Sequence, residues 1–313
     1  MRLLVIGCLG FLGRTVSQMG VQRGDEVLGI SRSSRPPEWR GEYLQKTVLG
    51  DLDRVIQHFA PEVVLHSAGP AAVESSFAAP VDDLQASLVT WAQTLDAVRR
   101  SGLKPLLIFP SSAAVYGDSQ TLPIAEEAAI APISPYGFHK AACELLALEY
   151  SKLFGLRVLV CRFFSLFGAL QRRLLIWELY EQLAGPDTIV WLRGKGSESR
   201  DYLEVCDAAA AVFQLISCLS DSQDAAYDNR CQPVVVNIAS GEETNILDLA
   251  GQLRVMLAPE KRICCRRSEM PGRPERWCAD ITRLRSMIPH WRYRPLSVGL
   301  SECVAAWQSR NGC

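Results

Sequence analysis

Residues 1–13 read MRLLVIGCLGFLG, and the order of residue types in this stretch decides the fold. The apolar run RLLVI is typical of a buried strand, and it leads into three glycines at a spacing of three, Gly7, Gly10 and Gly13. Residues 14–23 then follow the amphipathic pattern of a helix. Glycines between a strand and a helix let the backbone approach a pyrophosphate, whose charge then lies at the positive end of the helix. We therefore predict a dinucleotide-binding turn here, although tight turns that bind nothing also need glycine.

Short apolar runs continue to alternate with longer amphipathic segments up to Phe164. This alternation predicts an α/β protein with a doubly wound parallel sheet that is covered by helices on both faces. The rhythm breaks after Phe164. We therefore expect a dinucleotide-binding domain over residues 1–164 and a smaller, mainly substrate-binding region over residues 165–313, with segments at about 200–240 returning to the sheet. Further strands of the first part are predicted at Glu26–Ile30, Glu62–His66, Pro105–Phe109 and Arg157–Phe163, helices at Arg54–Phe59, Val81–Arg100 and Tyr136–Phe154, and long loops at Gly69–Ala79 and Gly117–Pro135.

The overall composition excludes several classes of function. Lys and Arg number 33 and Asp and Glu number 34, so the sequence has neither the basic face of a nucleic-acid-binding protein nor a polybasic membrane anchor. No run reaches the roughly eighteen apolar residues that a membrane-spanning helix needs. The eleven cysteines form no C-x-x-C motif and the four histidines form no H-x-x-H motif, so no metal site is expected. The glycine spacing near the N-terminus argues against an export signal, and we expect a reduced, cytoplasmic protein.

Two groups of polar residues are candidates for catalysis. Tyr136 and Lys140 are four residues apart at the start of a predicted helix and therefore share one of its faces. An isolated tyrosine titrates at about pH 10 and is a poor base, whereas a nearby ammonium group stabilises the phenolate. Ser111 and Ser112 follow a predicted strand, at the edge where open α/β sheets bind ligands. By themselves, these residues could equally be an aromatic–basic pair on a helix surface and a serine-capped loop.

The segment FPSSAAVYG (109–117), followed by YGFHK (136–140), resembles the active-site signature of the extended short-chain dehydrogenase/reductases. Within that group the chain is similar to the NAD-dependent epimerase/dehydratase family, whose members act on nucleotide-linked sugars and share a Rossmann sheet. The resemblance runs through nearly the whole chain. It is carried by the glycine turn and by HSAG (66–69), SPYG (134–137), RDYLEVCD (200–207), NIASG (237–241) and WRYRP (291–295).

This resemblance implies a role for each matching residue. Tyr136 would take the proton of a sugar hydroxyl while hydride leaves the same carbon, Lys140 would also hold the nicotinamide ribose, and Ser112 would orient the reacting oxygen. Arg200 and Arg276 would clamp the diphosphate of the substrate, unless they form surface salt bridges with Asp201 or Asp280. The implied substrate-binding residues are Ser112, Ser165, Arg200 and Arg276, and the implied cofactor-binding residues are Gly7, Gly10, Phe11, Leu12, Gly13, Ser31, Arg32, Asp51, Leu52, Ala68, Gly69, Ser87, Tyr136 and Lys140.

The chain departs from the family pattern at four places. Alanines at 113 and 114 stand where dehydratases of this family carry an acidic pair, so the elimination of water is not expected. The second strand ends in Ser31 and Arg32, without the acidic residue that binds the adenosine ribose and repels a 2′-phosphate. We therefore expect either NAD or NADP as the cofactor, with NADP favoured. Ser87 and Ser165 replace family asparagines, which leaves the nucleotide base and the sugar open.

Three functions are compatible with these residues. The first is epimerisation at carbon 4 of a nucleotide-diphospho-hexose by transient hydride transfer. The second is NADPH-dependent reduction of a nucleotide-linked 4-keto-deoxysugar, which needs the same three catalytic residues. The third is regulation by a protein that binds NAD(P) without turnover, although such a protein would have no use for an activated tyrosine. The resemblance also implies a homodimer paired through the helices predicted at 81–100 and 136–154, unless both helices belong to the core.

Overall fold

A parallel sheet lies at the centre of the computed structural model, which describes residues 1–46, 50–221, 232–266 and 272–311. The strands are β1 (Arg2–Ile6), β2 (Glu26–Ser31), β3 (Glu42–Gln45), β4 (Val63–His66), β5 (Leu106–Ser112), β6 (Arg157–Phe163), β7 (Ser165–Phe167), β8 (Ile189–Arg193), β9 (Ser199–Glu204), β10 (Val234–Ile238), β11 (Glu243–Asn245) and β12 (Arg262–Arg266). The helices are α1 (Phe11–Gln22), α2 (Leu52–Phe59), α3 (Val73–Ala78), α4 (Pro80–Leu84), α5 (Thr90–Ser101), α6 (Pro135–Phe154), α7 (Leu174–Ala184), α8 (Val205–Asp221), α9 (Ile246–Leu257), α10 (Thr282–Met287) and α11 (Leu296–Asn311).

The central sheet has the strand order β10-β6-β5-β4-β1-β2-β3, and each neighbouring pair is parallel. The order reverses at β1, where Ile6 lies opposite Ile30 of β2 on one side and His66 of β4 on the other. The predicted doubly wound α/β fold is therefore confirmed. Ligands of such folds bind beyond the carboxyl ends of the strands, next to the strand at which the order reverses.

Alternate residues of β1 face opposite sides of the sheet. Leu3 and Val5 pack in a core with residues of α1 and α8, whereas Leu4 and Ile6 pack in a second core with residues of α2, α5 and α6. Both faces of the strand are covered, so every position after Arg2 needs an apolar side chain. This is why RLLVI is an unbroken apolar run instead of an alternating one.

A third cluster of apolar side chains lies among α7, α9 and α11 and includes Leu179, Leu249 and Trp307. It packs beside two smaller sheets, with the strand orders β11-β9-β7 and β12-β8. Later segments also reach the first core, because Val236 of β10 and Leu284 of α10 belong to the same cluster as Leu3. The division of the chain into two domains at residue 164 stays a prediction.

The structure differs from the sequence prediction most clearly in the segment before β5. The helix predicted at Val81–Arg100 consists of α4 and α5 joined by a π-helical turn at Gln85–Val89. The loop predicted at Gly69–Ala79 contains α3, a six-residue helix that is too short for a helical pattern of apolar residues to reveal. Among the helices described, none is both long enough and apolar enough to cross a membrane.

Candidate active site

The turn after β1 is shaped to receive a ligand against its backbone. Gly7 has a φ of 84°, and its N–H donates to the oxygen of Ile30 at the end of β2 (2.8 Å). A Cβ on Gly7 would lie 2.5 Å from the nitrogen of Ala68, so a larger residue would not fit. Helix α1 begins at Phe11 without a side-chain cap, which leaves the N–H groups of its first turn available to an anion. These features fit the pyrophosphate of a dinucleotide.

Ser87 lies in the π-helical turn, a type of irregularity that often marks a functional site. Its hydroxyl oxygen is buried and has no hydrogen-bond partner among the described residues. The oxygen lies 3.7 Å from the position that a Cβ on Gly69 would occupy. Leaving a buried hydroxyl without a partner costs about 1–3 kcal/mol, so this position fits a polar ligand beside Gly69. Both Ser87 and Gly69 are among the cofactor-binding residues that the family resemblance implies.

Strand β5 and helix α6 bring the three predicted catalytic residues to one edge of the sheet. Ser112 is the last residue of β5, and Tyr136 and Lys140 lie in the first two turns of α6. Ser134 caps this helix by accepting from the N–H of Gly137 (3.1 Å), which fixes where the helix begins. Tyr136 and Lys140 are 8% and 7% exposed, and the Lys140 ammonium lies 5.7 Å from the centre of the Tyr136 ring. The ammonium is therefore placed to stabilise charge at this ring.

Three neighbours define the electrostatics around Lys140. The ammonium donates to the oxygen of Pro110 in β5 (2.8 Å) and lies 4.8 Å from the centre of the Phe109 ring. His66, at the end of β4, bonds to the hydroxyl of Thr94 (2.9 Å). Burial and, as a smaller effect, the positive charge of Lys140 lower the pKa of His66 to about 3. The imidazole is thus neutral at neutral pH and adds no positive charge beside Lys140.

A buried ion pair that the sequence analysis missed supports the same edge. Arg162 of β6 donates to both carboxylate oxygens of Glu144 (2.7 and 3.1 Å), which also accepts from the hydroxyl of Ser111 (2.5 Å). Arg162 further donates to the hydroxyl of Tyr116 (2.8 Å). Burial disfavours the guanidinium ion, but the bonds to Glu144 outweigh this effect and raise the pKa of Arg162. Glu144 follows Lys140 by four residues on the same helix face, and that spacing is the signal that could have found it.

A cavity of about 760 Å³ opens among α7, β8 and the segment after residue 272. Arg200 of β9 lines it and donates to the oxygen of Ser199 (2.6 Å). Burial lowers the pKa of Arg200, and the nearby charge of Arg273 lowers it further. The lining carries charges of both signs, because it also includes Glu178, Glu181, Glu198 and Glu275. Sequence reasoning missed Arg273, which lines the same cavity.

The other predicted arginine takes a different position. Arg276 forms a two-pronged ion pair with Glu243 (2.6 and 2.7 Å) and does not line the cavity, so its observed partner is neither Asp280 nor a ligand. The strand pairing explains this placement, because Arg276 and Glu243 flank β9 from opposite sides. The loop after β5 holds the same segment through the indole of Trp277, which donates to the oxygen of Gly117 (3.0 Å). This bond ties the segment that follows Arg273 to the loop that follows Ser112.

The remaining predicted residues lie at different depths. Ser31 ends β2, the side chain of Arg32 beside it is exposed, and Ser165 begins β7. Asp51 is exposed and lies 3.7 Å from the ammonium of Lys46. Leu52 is fully buried in the second core, so only its backbone can face a cofactor. Of the other implied cofactor residues, Phe11 and Leu12 open α1, and Ala68 lies against Gly7.

Comparison with known proteins agrees with this architecture. The family model described as "NAD dependent epimerase/dehydratase family" matches residues 3–228. A putative UDP-glucose 4-epimerase of Methanocaldococcus jannaschii is 25% identical over 260 residues, which are 79% of each chain. The GDP-6-deoxy-D-mannose reductase of Pseudomonas aeruginosa is 28% identical over 317 residues, covering 94% of this chain and 98% of the reductase.

Solved structures share the fold over nearly the whole chain. The structure of MoeE5 in complex with UDP-glucuronic acid and NAD matches with a TM-score of 0.86 at 22% identity. The match covers 99% of this chain and 100% of the MoeE5 chain. The central sheet and the smaller region after it therefore occur together in a known protein.

Proposed function

Because the chain belongs to the NAD dependent epimerase/dehydratase family, we propose that it is an enzyme that uses NAD(P) to epimerise carbon 4 of a nucleotide-linked hexose. One observation carries the proposal. The Lys140 ammonium donates to Pro110 of the strand that ends in Ser112 and lies 5.7 Å from the centre of the Tyr136 ring, and the glycine turn follows β1 of the same sheet. A separate cavity is lined by Arg200 and Arg273. A nucleotide-linked sugar has a diphosphate for such arginines and a hydroxyl for such a tyrosine.

The chemistry assigned to the protein residues is the movement of one proton. The phenolate of Tyr136, which Lys140 stabilises, takes the proton of the 4-hydroxyl and becomes the neutral phenol, while Ser112 hydrogen-bonds to the sugar oxygen. Returning the proton to the same oxygen after the sugar has presented its other face completes the epimerisation. A nicotinamide cofactor supplies the acceptor and donor of hydride when it is bound. The glycine turn and the buried hydroxyl of Ser87 are the groups that would hold it.

The second candidate is reduction of a 4-keto sugar, for which the P. aeruginosa reductase provides the specific reason. That relative covers more of this chain than the M. jannaschii epimerase does. A reductase uses Tyr136 as an acid where an epimerase uses it alternately as base and acid, so the three residues do not separate the two reactions.

The two reactions differ in mass balance, and this difference provides the test. The protein is incubated with UDP-, GDP- and dTDP-linked hexoses and 4-keto sugars, with and without NAD(P)H, and the products are read by mass spectrometry and NMR. An epimerase changes the configuration at carbon 4 at constant mass and without added reductant. A reductase adds two hydrogen atoms and consumes one NAD(P)H. Dinucleotide binding without any product would instead indicate the non-catalytic protein.

We expect the protein to bind NADP more tightly than NAD. Ser31 at the end of β2 carries no charge that would repel a 2′-phosphate, and the exposed guanidinium of Arg32 is a partner for it. Arg32→Asp removes the cation and adds a charge that repels the 2′-phosphate, so the variant should bind NAD more tightly than NADP. Each of these two effects changes the ratio of the two affinities by about tenfold if it contributes about 1.4 kcal/mol. Titration of the apoprotein with both dinucleotides measures this, and clearly tighter binding of NAD by the unchanged protein would contradict it.

We further propose a homodimer that pairs through α4, α5 and α6. Large apolar side chains are exposed on α4 and α6, at Val81 (64%), Phe138 (59%), Leu145 (66%), Leu153 (69%) and Phe154 (44%), and at Val89 (42%) in the π-helical turn between α4 and α5. Phe138 and Leu145 are two helical turns apart and therefore lie on one face of α6. An exposed apolar face of this kind is typical of a subunit interface.

A charge at this face tests the dimer. Light scattering at micromolar concentration should give twice the 34.6 kDa of one chain, and Leu145→Glu should give a single chain because its charge would be buried in the interface. Val255→Glu, at an equally exposed valine on α9, should leave the mass unchanged. A monomeric mass for the unchanged protein would refute the proposed dimer.

Two further parts of the proposal concern the cellular location of the enzyme and the parts of the chain that bind its cofactor and substrate. We place it in the cytoplasm, which cell fractionation would test. We also place the cofactor mainly on residues 1–164 and the substrate mainly on residues 165–313, which cross-linking with a photoreactive nucleotide sugar would test.

A further inference from the structure

Arg14 and Glu38 form an ion pair beside the glycine turn. Arg14 directly follows Gly13 in the first turn of α1, and its guanidinium lies 2.7 Å from the carboxylate of Glu38 in the loop after β2. Both side chains remain partly open to solvent. This pair adds an arginine and a carboxylate to the region that contains Ser31 and Arg32.

The loop that carries Glu38 is anchored at its next residue. Trp39 is buried, and its indole donates to the oxygen of Glu42 (3.1 Å). The ring packs so closely on β2 that a Cβ on Gly29 would lie 2.4 Å from it. The start of the loop is tied down as well, because the amide of Gln45 donates to the oxygen of Arg32 (3.1 Å). Glu38 is therefore held at a defined place next to Arg14.

The pair borders the space where this fold binds the adenosine half of a dinucleotide. The N–H groups of Gly7 and Cys8 both donate to the oxygen of Ile30, so the glycine turn adjoins the end of β2. Arg14 lies in the first turn of α1, which follows the glycine turn, and Glu38 lies in the loop after β2, so the ion pair bridges the two elements next to this turn. In dinucleotide-binding folds the group at the end of the second strand reads the 2′ position of the ribose, and a nearby arginine accommodates a 2′-phosphate.

We propose that the Arg14–Glu38 pair is the second determinant of cofactor choice in this protein. Arg14 is a partner for a 2′-phosphate, and Glu38 limits that role by occupying its guanidinium and by repelling the phosphate. The inference rests on the proposed dinucleotide site and deepens it. The choice between NAD and NADP then depends on the charges of Arg14 on α1 and Glu38 in the loop after β2, and not on Arg32 alone.

Binding of the two dinucleotides to the apoprotein, followed by calorimetry, tests this proposal without any sugar substrate. Glu38→Gln keeps the size of the side chain and removes the carboxylate that pairs with Arg14 and repels a 2′-phosphate, so NADP should bind about tenfold more tightly, as expected for one charge-assisted bond from Arg14 to the phosphate. Binding of NAD should change by less than about threefold, because an exposed ion pair contributes little by itself. Arg14→Gln should weaken NADP binding and leave NAD binding nearly unchanged.

A matched variant separates the local effect from the change in total charge. Glu26 is an exposed carboxylate at the opposite end of β2, so Glu26→Gln should leave both affinities unchanged. Unchanged NADP affinity in Glu38→Gln would overturn the proposal. So would a loss of NAD affinity alone, which would make Glu38 a ligand of the ribose hydroxyls. If the unchanged protein binds neither dinucleotide, the proposed function itself fails, and this inference fails with it.

Discussion

Tyr136→Phe is expected to lower turnover by about 100- to 10,000-fold and to leave dinucleotide binding nearly intact. The phenyl ring keeps the packing of a side chain that is 8% exposed and loses only the hydroxyl that moves the proton. The capping bond of Ser134 and the bond from the N–H of Tyr136 to the hydroxyl of Ser76 (3.1 Å) do not involve that group, so α6 should begin at the same residue.

The measurement pairs turnover of the accepted nucleotide sugar with calorimetry of the cofactor. Tyr150→Phe is the matched control, because it removes the same atom from the same helix at a distance from β5, and it should leave turnover unchanged. Lys140→Ala should differ from both variants by weakening cofactor binding as well. Near-normal activity of Tyr136→Phe would refute the role assigned to the tyrosine.

Glu144→Ala is expected to destabilise the protein by about 3–5 kcal/mol, the cost of leaving one charge of a buried ion pair unpaired. The guanidinium of Arg162 would lose both of its bonds to Glu144, and Ser111 would lose its acceptor next to Ser112. Urea unfolding monitored by circular dichroism measures the loss. Turnover should fall in the variant even where it remains folded, because the carboxylate joins α6 to the end of β5.

Two comparisons make this result specific. Arg99→Ala breaks the exposed pair with Asp96 and should cost no more than about 1 kcal/mol, since surface ion pairs contribute little. The double variant Glu144→Leu with Arg162→Met removes both charges and should recover part of the lost stability. A loss below about 1 kcal/mol in Glu144→Ala would contradict the account of a buried charge.

The central fold was predictable because its signals are local. The apolar run of β1 is dictated by burial on both faces of the sheet, and the glycines after it are dictated by the close approach of Gly7 to Ala68. β3 was not predictable, because EYLQ is short and only half buried at the edge of the sheet. The π-helical turn at Gln85–Val89 was not predictable either, because its residues continue the helical pattern on both sides.

The residues of the candidate site likewise differ in whether the sequence predicts their contacts. Tyr136 and Lys140 are one helical turn apart, so their proximity follows from spacing alone. Arg273 and Arg200 are neighbours only because β9 and the segment after residue 272 meet in space. The partner of Arg276 was equally hidden, since Glu243 precedes it by 33 residues. Such pairs are set by packing and leave no regular interval in the sequence.

Segments late in the chain pack in the core that contains Leu3, and this limits which parts of the chain can be exchanged with those of relatives. Asn237 of β10 accepts from the hydroxyl of Tyr116 (2.7 Å), and Leu284 of α10 packs in the cluster that contains Leu3. A hybrid protein joined once, after Phe164, would take these partners from a different parent than β1 and β5. A hybrid that takes its substrate specificity from a relative must therefore keep β10 and α10 from the parent that supplies the central sheet. The residues around the cavity would then be exchanged in several pieces, with a junction between the two parents on each side of β10 and of α10.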